Sequence, residues 1–266
     1  MPLIDTHCHL DFNAYDGLRD EIVAEAAASG VTRILNPGTD LDRSRAAIAL
    51  AETYPGVYAG VGVHPNSTAG FSPAHLATLH DLAAHPKVVA IGEIGLDYYW
   101  DDSPKDVQRA AFEAQLDLAA ALELPVIIHN RDASDDVLAV LSAWTAALPA
   151  ALRDRPGVLH SFSAPQSAAE RGLALGFYLG FTGPVTFKNA DDLRHIAARV
   201  PADRLLVETD GPFLTPHPYR GRRPNRPAYV RFIAERLAAL HALPYDEFAA
   251  QTTANAERLF ARLGGP

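Results

Sequence analysis

The chain reads as an α/β protein of the (β/α)8 TIM-barrel class, a single domain over residues 1–266 with one extra helix near its C-terminal end. Three observations predict this. The length of 266 residues is close to the ~250 typical of such barrels. Short apolar runs of strand length alternate eight times with longer stretches of helical period, the pattern of successive parallel βαβ units. No Gly-x-Gly-x-x-Gly follows the first strand, where the alternative, a doubly wound open sheet, would seat a dinucleotide.

The first strand is the apolar stretch Leu3 to Leu10. Asp16 to Ser29 follows as a helix, with Leu18, Ile22, Val23, Ala26 and Ala27 at near 3.6 spacing and Gly30 as its stop. Val31 to Leu35 is the second strand, broken by Asn36-Pro37-Gly38, and Leu41 to Tyr54 is a helix that stops at Pro55. Strand three, Val57 to Val63, runs into His64-Pro65; helix Pro73 to Ala84 leads to strand four, Val88 to Ile94. A long amphipathic helix, Pro104 to Leu122, precedes the short buried strand Pro125-Val-Ile-Ile-His129. The unit then repeats: helix Ala133 to Leu148, strand Gly157 to His160, helix Pro165 to Leu175, strand Phe177 to Val185 and helix Ala190 to Val200. The eighth strand is Arg204-Leu-Leu-Val-Glu208, the eighth helix Pro227 to Leu240, and Tyr245 to Leu263 is the extra one.

Composition narrows the function classes. With 48% hydrophobic and 21% charged residues, the chain can bury a large core and is neither disordered nor collagen-like. The longest apolar stretch without charge, Val137 to Leu152, is interrupted by Ser142, Thr145 and Pro149 and is shorter than the ~20 residues of a membrane span. No signal-peptide pattern opens the sequence, and the single cysteine, Cys8, has no intrachain partner, so a cytoplasmic location is expected. The net charge of -9 speaks against a broad surface for nucleic acid, which rests on cationic side chains, so any polyanion contact must be local.

In a barrel of this class the chemistry sits at the C-terminal ends of the strands. There the sequence offers His7 and His9, Glu93, His129, His160 and Asp210, each after an apolar run. On a strand, residues two apart share a face, so His7 and His9 project together while Cys8 points away and is a packing residue. Four imidazoles and two carboxylates at one rim are enough for two metal ions with a bridging carboxylate. His75, His80, His85, His195 and His241 fall in or beside helices and are expected to face solvent.

Taken in order, Ile4-Asp-Thr-His-Cys-His9, Gly62-Val-His-Pro65, Gly92-Glu-Ile-Gly-Leu-Asp97, Gln115, Pro125-Val-Ile-Ile-His129 with Arg131-Asp132, His160-Ser-Phe-Ser163, Glu208-Thr-Asp-Gly-Pro212 and Asn255-Ala-x-Arg-Leu-Phe260 make the chain resemble the TatD family of metal-dependent deoxyribonucleases. The resemblance implies that His7, His9, Glu93 and Asp210 hold one divalent ion (Zn, Mn or Mg). It implies that Glu93 bridges to a second ion held by His129 and His160. It further implies hydrolysis of DNA phosphodiesters, with single-stranded ends as substrates. Ser161 and Ala164 stand where the family usually has Cys and Gly. The family's Arg-Gly-Lys-Arg-Asn-Glu-Pro reads Arg220-Gly-Arg-Arg-Pro-Asn-Arg-Pro227 here, with an inserted Pro224 and Arg226 in place of Glu.

The mechanism expected on this basis is a metal-activated water with Asp210 and Glu93 as catalytic carboxylates and Asp210 as general base. His64, which matches a family position near substrate, and Arg220, Arg222, Arg223 and Arg226 are expected to contact phosphates. Glu208, two residues before Asp210, shares its face and is placed to orient ligands or water. Two other readings keep the same residues: an ester or amide hydrolase, such as a D-aminoacyl-tRNA deacylase, and a catalytically silent metal-binding barrel serving as an interaction module.

Overall fold

The first apolar run is regular strand only at its start. In the computed structural model, which describes residues 2–264, β1 is Leu3–Asp5, and His7 and His9 lie beyond it. Then come β2 (Val31–Pro37), β3 (Val57–Val61), β4 (Val88–Asp97), β5 (Val126–Arg131), β6 (Gly157–Leu159), β7 (Tyr178–Phe181) and β8 (Leu205–Val207). Each strand pairs in parallel with the next, in the order β1 to β8. The last meets the first just past its end: Thr6 N donates to Val207 O (3.2 Å), Asp210 N to His7 O (2.8 Å) and His9 N to Gly211 O (2.8 Å). Cys8 and Gly211 form an isolated parallel bridge there, so the sheet is a TIM barrel.

The intervening helices are α1 (Arg19–Ala28), α2 (Leu41–Thr53), α3 (Pro73–Ala83), α4 (Lys105–Ala121), α5 (Ser134–Thr145), α6 (Gln166–Ala174), α7 (Asp191–Ala197) and α8 (Val230–Leu240), with α9 (Tyr245–Leu259) as the extra one. Their ends follow from local chemistry. The Asp40 carboxylate accepts from Arg43 N at 2.8 Å and caps α2. Gly30 takes a left-handed φ of 85° after α1, which a side chain would disfavour.

Several boundaries differ from expectation. The strand expected over 177–185 ends at Phe181, because Gly183 and Pro184 turn the chain into a 3-10 segment, Gly183–Thr186, and proline has no N–H to continue a ladder. The last barrel helix starts at Val230 after a 3-10 turn at Pro227–Tyr229, and α1 starts at Arg19 rather than Asp16.

Two apolar layers result. The larger packs the outward faces of the strands, such as Ile34, Val61, Ile128 and Leu179, against Ile22, Phe112, Leu141 and Leu237 of the helices. The smaller fills the barrel with Ile4, Leu35, Val89, Ile127, Val158, Tyr178 and Leu206, and Leu259 and Phe260 close it from below. Helix α9 is fixed there by Asn255 Nδ2, which donates to Ala202 O (2.8 Å) and Leu205 O (2.9 Å). The end plugged by α9 is the N-terminal one, which leaves the C-terminal rim open. Among the described residues no helix is long and apolar enough to cross a membrane.

Candidate metal centre

The period of two along each strand builds the site from the core upward. Ile127, Val158 and Leu206 belong to the interior cluster. Two residues further along, His129, His160 and Glu208 stand on the same faces, at the rim. The structure brings all six of the residues read from the sequence together around Glu93, which is only 3% exposed.

The two oxygens of Glu93 face different partners. Oε1 lies 2.8 Å from His129 Nδ1, 2.9 Å from His160 Nε2 and 3.6 Å from His64 Nε2. Oε2 lies 3.3 Å from His7 Nε2 and 3.5 Å from His9 Nε2. Asp210 Oδ1 completes the second group, 3.8 Å from His7 Nε2 and 3.7 Å from His9 Nε2.

Hydrogen bonds behind the site decide which ring nitrogens carry protons. His9 Nδ1 faces Pro37 O at 3.2 Å and must donate to it, so its Nε2 lone pair points inward. His129 has a carboxylate oxygen against each nitrogen: Nε2 donates to Asp97 Oδ2 at 3.0 Å, and Nδ1 is the nitrogen turned on the site, 2.8 Å from Glu93 Oε1. His64 is the opposite case. Its Nδ1 accepts from Asn66 N at 3.2 Å, so Nε2 carries the proton and presents a donor to the cavity rather than a ligand lone pair.

The electrostatics split the rings: against burial, Asp97 and Glu93 raise His129, and Glu93 and Glu208 raise His160 well above the ordinary imidazole value. Burial, with His160 nearby, lowers His7 to about 4, and burial, with His129 nearby, lowers His64 to about 3, so both are neutral near pH 7. Burial alone would raise Glu93, but His160, His64 and the hydrogen bonds of His129 and His160 hold it well below the usual carboxylate range. Burial pushes Asp210 up to about 6 against the pull of His160 and His9.

The donor set fits divalent cations. His7 Nε2 and His9 Nε2 approach to 3.2 Å, and ring nitrogens of four imidazoles converge on one carboxylate. Three groups, His7–His9–Glu93, His64–Glu93–His129 and His7–His160–Asp210, each have nitrogen or carboxylate atoms within 4.8 Å of one another, though in the second His64 turns an N–H to the others. Nitrogen and carboxylate donors in this proportion suit zinc or manganese, and the carboxylates leave magnesium open.

Glu208 is fully buried; its Oε1 accepts from Ser161 N and lies 3.6 Å from His160 Nδ1, so it orients that ring. Cys8 is buried against the Tyr15 hydroxyl, 3.7 Å from its Sγ, away from the site. Of the expected solvent-facing histidines, His80 and His195 are exposed, whereas His75, His85 and His241 are half-buried. His241 Nε2, for one, sits 3.0 Å from Ala197 O.

The arginine loop divides. Arg223 lines the cavity above the site, while Arg220 and Arg222 lie over the rings of Phe187 (4.0 Å) and Tyr219 (5.0 Å). Arg226 is not available to a phosphate: it pairs with Glu21 (2.8 Å) and Glu25 (2.6 Å) on α1. That correction has a tertiary cause, since these partners lie some 200 residues away in sequence.

Sequence reading missed Asp97, although Glu93, Gly95 and Asp97 share one face of β4 by alternation. Gly95, at φ 144°, lets the strand pass so close to β5 that a Cβ there would meet His129 O at 2.0 Å. It also missed Asp5, whose buried carboxylate accepts from Thr209 N (2.9 Å), Thr209 Oγ1 (2.6 Å) and His7 N (3.3 Å). Gln115, quoted in the motif without a role, clamps the backbone of Val63 beside His64 through its Oε1 (2.8 Å) and Nε2 (3.1 Å). The cavity itself has a volume of about 790 Å³, and Phe12, Trp100, Arg131 and Phe213 share its wall with the site residues.

Comparison with known proteins gives a consistent picture. The family model described as TatD related DNase matches residues 4–261. The uncharacterised metal-dependent hydrolase YabD of Bacillus subtilis is 45% identical over 258 residues, covering 97% of this chain and 98% of its own. The 3'-5' ssDNA/RNA exonuclease TatD of Klebsiella pneumoniae is 39% identical over 262 residues, covering 97% of each chain. Among solved structures, the TatD homologue YJJV of Escherichia coli superposes with a TM-score of 0.90 at 36% identity, covering 97% of this chain and 98% of that one. On this match, over nearly its whole length, the chain belongs to the TatD-related DNase family.

Proposed function

We propose that this protein is a divalent-metal-dependent hydrolase that removes nucleotides from single-stranded ends of DNA or RNA. The observation that carries the reading is the division of Glu93. Its Oε2 faces His7 and His9 while its Oε1 faces His129 and His160, the arrangement of a carboxylate shared between two cations. His7, His9 and Asp210 would hold one ion, His129 and His160 the other, and Glu93 both. When bound, such a pair supplies an activated water near neutral pH and neutralises charge on the attacking and leaving oxygens.

The remaining work falls to side chains of this chain. Asp210 Oδ1, 3.8 and 3.7 Å from the Nε2 atoms of His7 and His9, takes the proton of the attacking water as the water oxygen bonds to phosphorus. The phosphorus–oxygen bond on the far side breaks, and the departing oxygen collects a proton. His64, neutral and presenting Nε2–H, donates to a non-bridging phosphate oxygen. Arg223 and Arg131 in the cavity wall offer cationic contacts, and Arg220 and Arg222 extend the Arg223 loop towards neighbouring phosphates.

Relatives named as single-strand exonucleases support the substrate class, and the small net demand for cations fits an acidic chain that grips only a strand end. The test is hydrolysis of single strands labelled at the 5' or the 3' end, with Mg, Mn or Zn added, beside a panel of acyl esters. Release of labelled mononucleotide from one end only supports an exonuclease. Turnover of the esters with intact strands would replace the reading by the esterase one, and no turnover of any substrate would favour the interaction module.

A further inference from the structure

Three large apolar side chains stand out as exposed among the described residues: Tyr99 at 53%, Trp100 at 50% and Phe213 at 43%. All three are at the mouth of the same cavity, Trp100 and Phe213 in its wall and Tyr99 packed edge-on against Trp100 at 4.8 Å. Exposed aromatic surface of this size, gathered at one place, marks a contact with something apolar. Their position in the barrel says more. Trp100 follows β4 and Phe213 follows β8, and strands four apart in a closed ring of eight are diametrically opposed, so the two residues enter the cavity wall from opposite sides of the barrel.

Each ring is held rather than loose. Trp100 N and Tyr99 N both donate to Asp97 Oδ1, at 3.2 and 2.9 Å, and the Arg131 guanidinium lies 3.9 Å from the Tyr99 ring centre. Across the cavity, Phe213 meets Phe12 edge to face at 6.0 Å, and Phe12 in turn stacks on the site histidine His9 at 4.6 Å. The backbone of Phe213 is pinned from behind, its carbonyl accepting from Asn225 Nδ2 at 2.6 Å.

We infer that Trp100 and Phe213 are two base-stacking platforms that seat unpaired nucleobases on either side of the scissile phosphate. This deepens the reading proposed above and rests on it. A flat ring with one face open, beside a cation and a phosphate-binding centre, is the chemistry that recognises a nucleobase. Stacking is indifferent to base identity and to a 2'-hydroxyl, so the platforms accept DNA and RNA alike and carry little sequence preference. A base still stacked and paired within a duplex has no free face for them, which makes the single strand the preferred form. Next to the Trp100 wall, Asp132, Asp135 and Asp136 line a neighbouring hollow together with Arg131, and Asp135 is paired with Arg171 at 2.8 Å, so a cation for the backbone stands beside each platform, Arg131 here and Arg223 on the loop after β8.

The experiment compares Trp100→Ala, Trp100→Phe and Phe213→Ala with the parent enzyme on a single-stranded oligonucleotide, and on the same strand with its two terminal nucleotides made abasic. Each alanine variant is expected to raise KM for the normal strand about 5- to 100-fold, with the change falling on KM rather than kcat. Trp100→Phe should recover most of it. The abasic strand should cost the parent enzyme a similar factor, and the alanine variants should lose nothing more on it. As a readout independent of turnover, a strand with a nuclease-resistant phosphorothioate end should quench fluorescence in the metal-free parent, and Trp100→Phe should abolish that component. KM within twofold of the parent for both alanine variants, or additive losses on the abasic strand, overturns the platforms. Hydrolysis that fails altogether while quenching by the strand persists removes the nuclease reading and leaves the platforms standing.

Discussion

Replacing Asp97 by asparagine isolates the carboxylate that holds His129. Asp97 is 1% exposed. Burial would raise its pKa, but His129 and the amides of Trp100 and Tyr99 more than reverse this and hold it at about 2. Its Oδ1 accepts from Tyr99 N and Trp100 N, while Oδ2 accepts from His129 Nε2 (3.0 Å) and Asn66 Nδ2 (3.4 Å). Every polar neighbour of the two oxygens is thus a donor. An asparagine must turn its own NH2 towards one pair or the other, so one donor pair is opposed in either orientation. If the backbone pair keeps the oxygen, the His129 ring loses its partner and is free to turn its Nδ1 from Glu93. Loss of such a partner behind a metal ligand costs about 10- to 100-fold in metal affinity, or about 1.4 to 2.7 kcal/mol. That agrees with the ~1.5 to 3 kcal/mol of a hydrogen bond to a charged group. Competition for Zn or Mn against a chromogenic chelator reads the affinity, and circular dichroism checks the fold. A folded Asp97→Asn protein that binds both ions within twofold of the parent would refute the argument.

Asp210→Asn is expected to keep the fold and lose about 10²- to 10⁴-fold in turnover, as removal of a general base does; a folded variant losing less than about tenfold excludes Asp210 from that role. Elemental analysis after metal loading should plateau at two ions per chain, and a fully active protein with one would end the bridging role of Glu93. Arg223→Ala should make the slope of log affinity for single strands against log salt shallower by ~0.7. Arg226→Ala should leave that slope alone and cost at most about 1 kcal/mol of stability through its Glu21 and Glu25 pairs. Gly180→Ala would place a Cβ 2.5 Å from Glu208 Oε2. It should therefore displace that buried carboxylate from Ser161 N and lower the unfolding free energy by ~1 to 3 kcal/mol, measured by denaturant titration.

The barrel was legible because apolar runs mark its strands and an apolar period most of its helices, and both are local to the sequence even where β1 and β7 end earlier than their runs. The rim was legible for the same reason: a polar residue ending an apolar run is conspicuous, and His129, His160 and Glu93 all announce themselves so. His7 and His9 were placed on one face for a strand that in fact ends at Asp5; they still share that face because the single bridge from Cys8 to Gly211 continues the alternation. Partnerships across the fold left no local trace. Nothing near Arg226 in sequence reveals that two glutamates of α1 will claim it, and nothing near Asp5 reveals Thr209. Asp97 was within reach, two steps beyond Glu93 on the alternation already in use.

The seam between β8 and β1 joins residues more than 200 positions apart, with Thr6 Oγ1 bonded to Val207 O and Asp5 to Thr209. His7 and His9 therefore leave the ribosome early in synthesis, and Asp210 only when four-fifths of the chain has been made. Until then both histidines lack the Asp210 carboxylate and the backbone bonds from His7 O to Asp210 N and from His9 N to Gly211 O, although Pro37 and Glu93 are already made. A cation arriving early meets separate, weak, interchangeable donors, and a stable grip waits on the closing of the ring. The rim is in this way completed only by the last strand: an unfinished chain carries His7, His9, Glu93, His129 and His160 and still lacks Asp210.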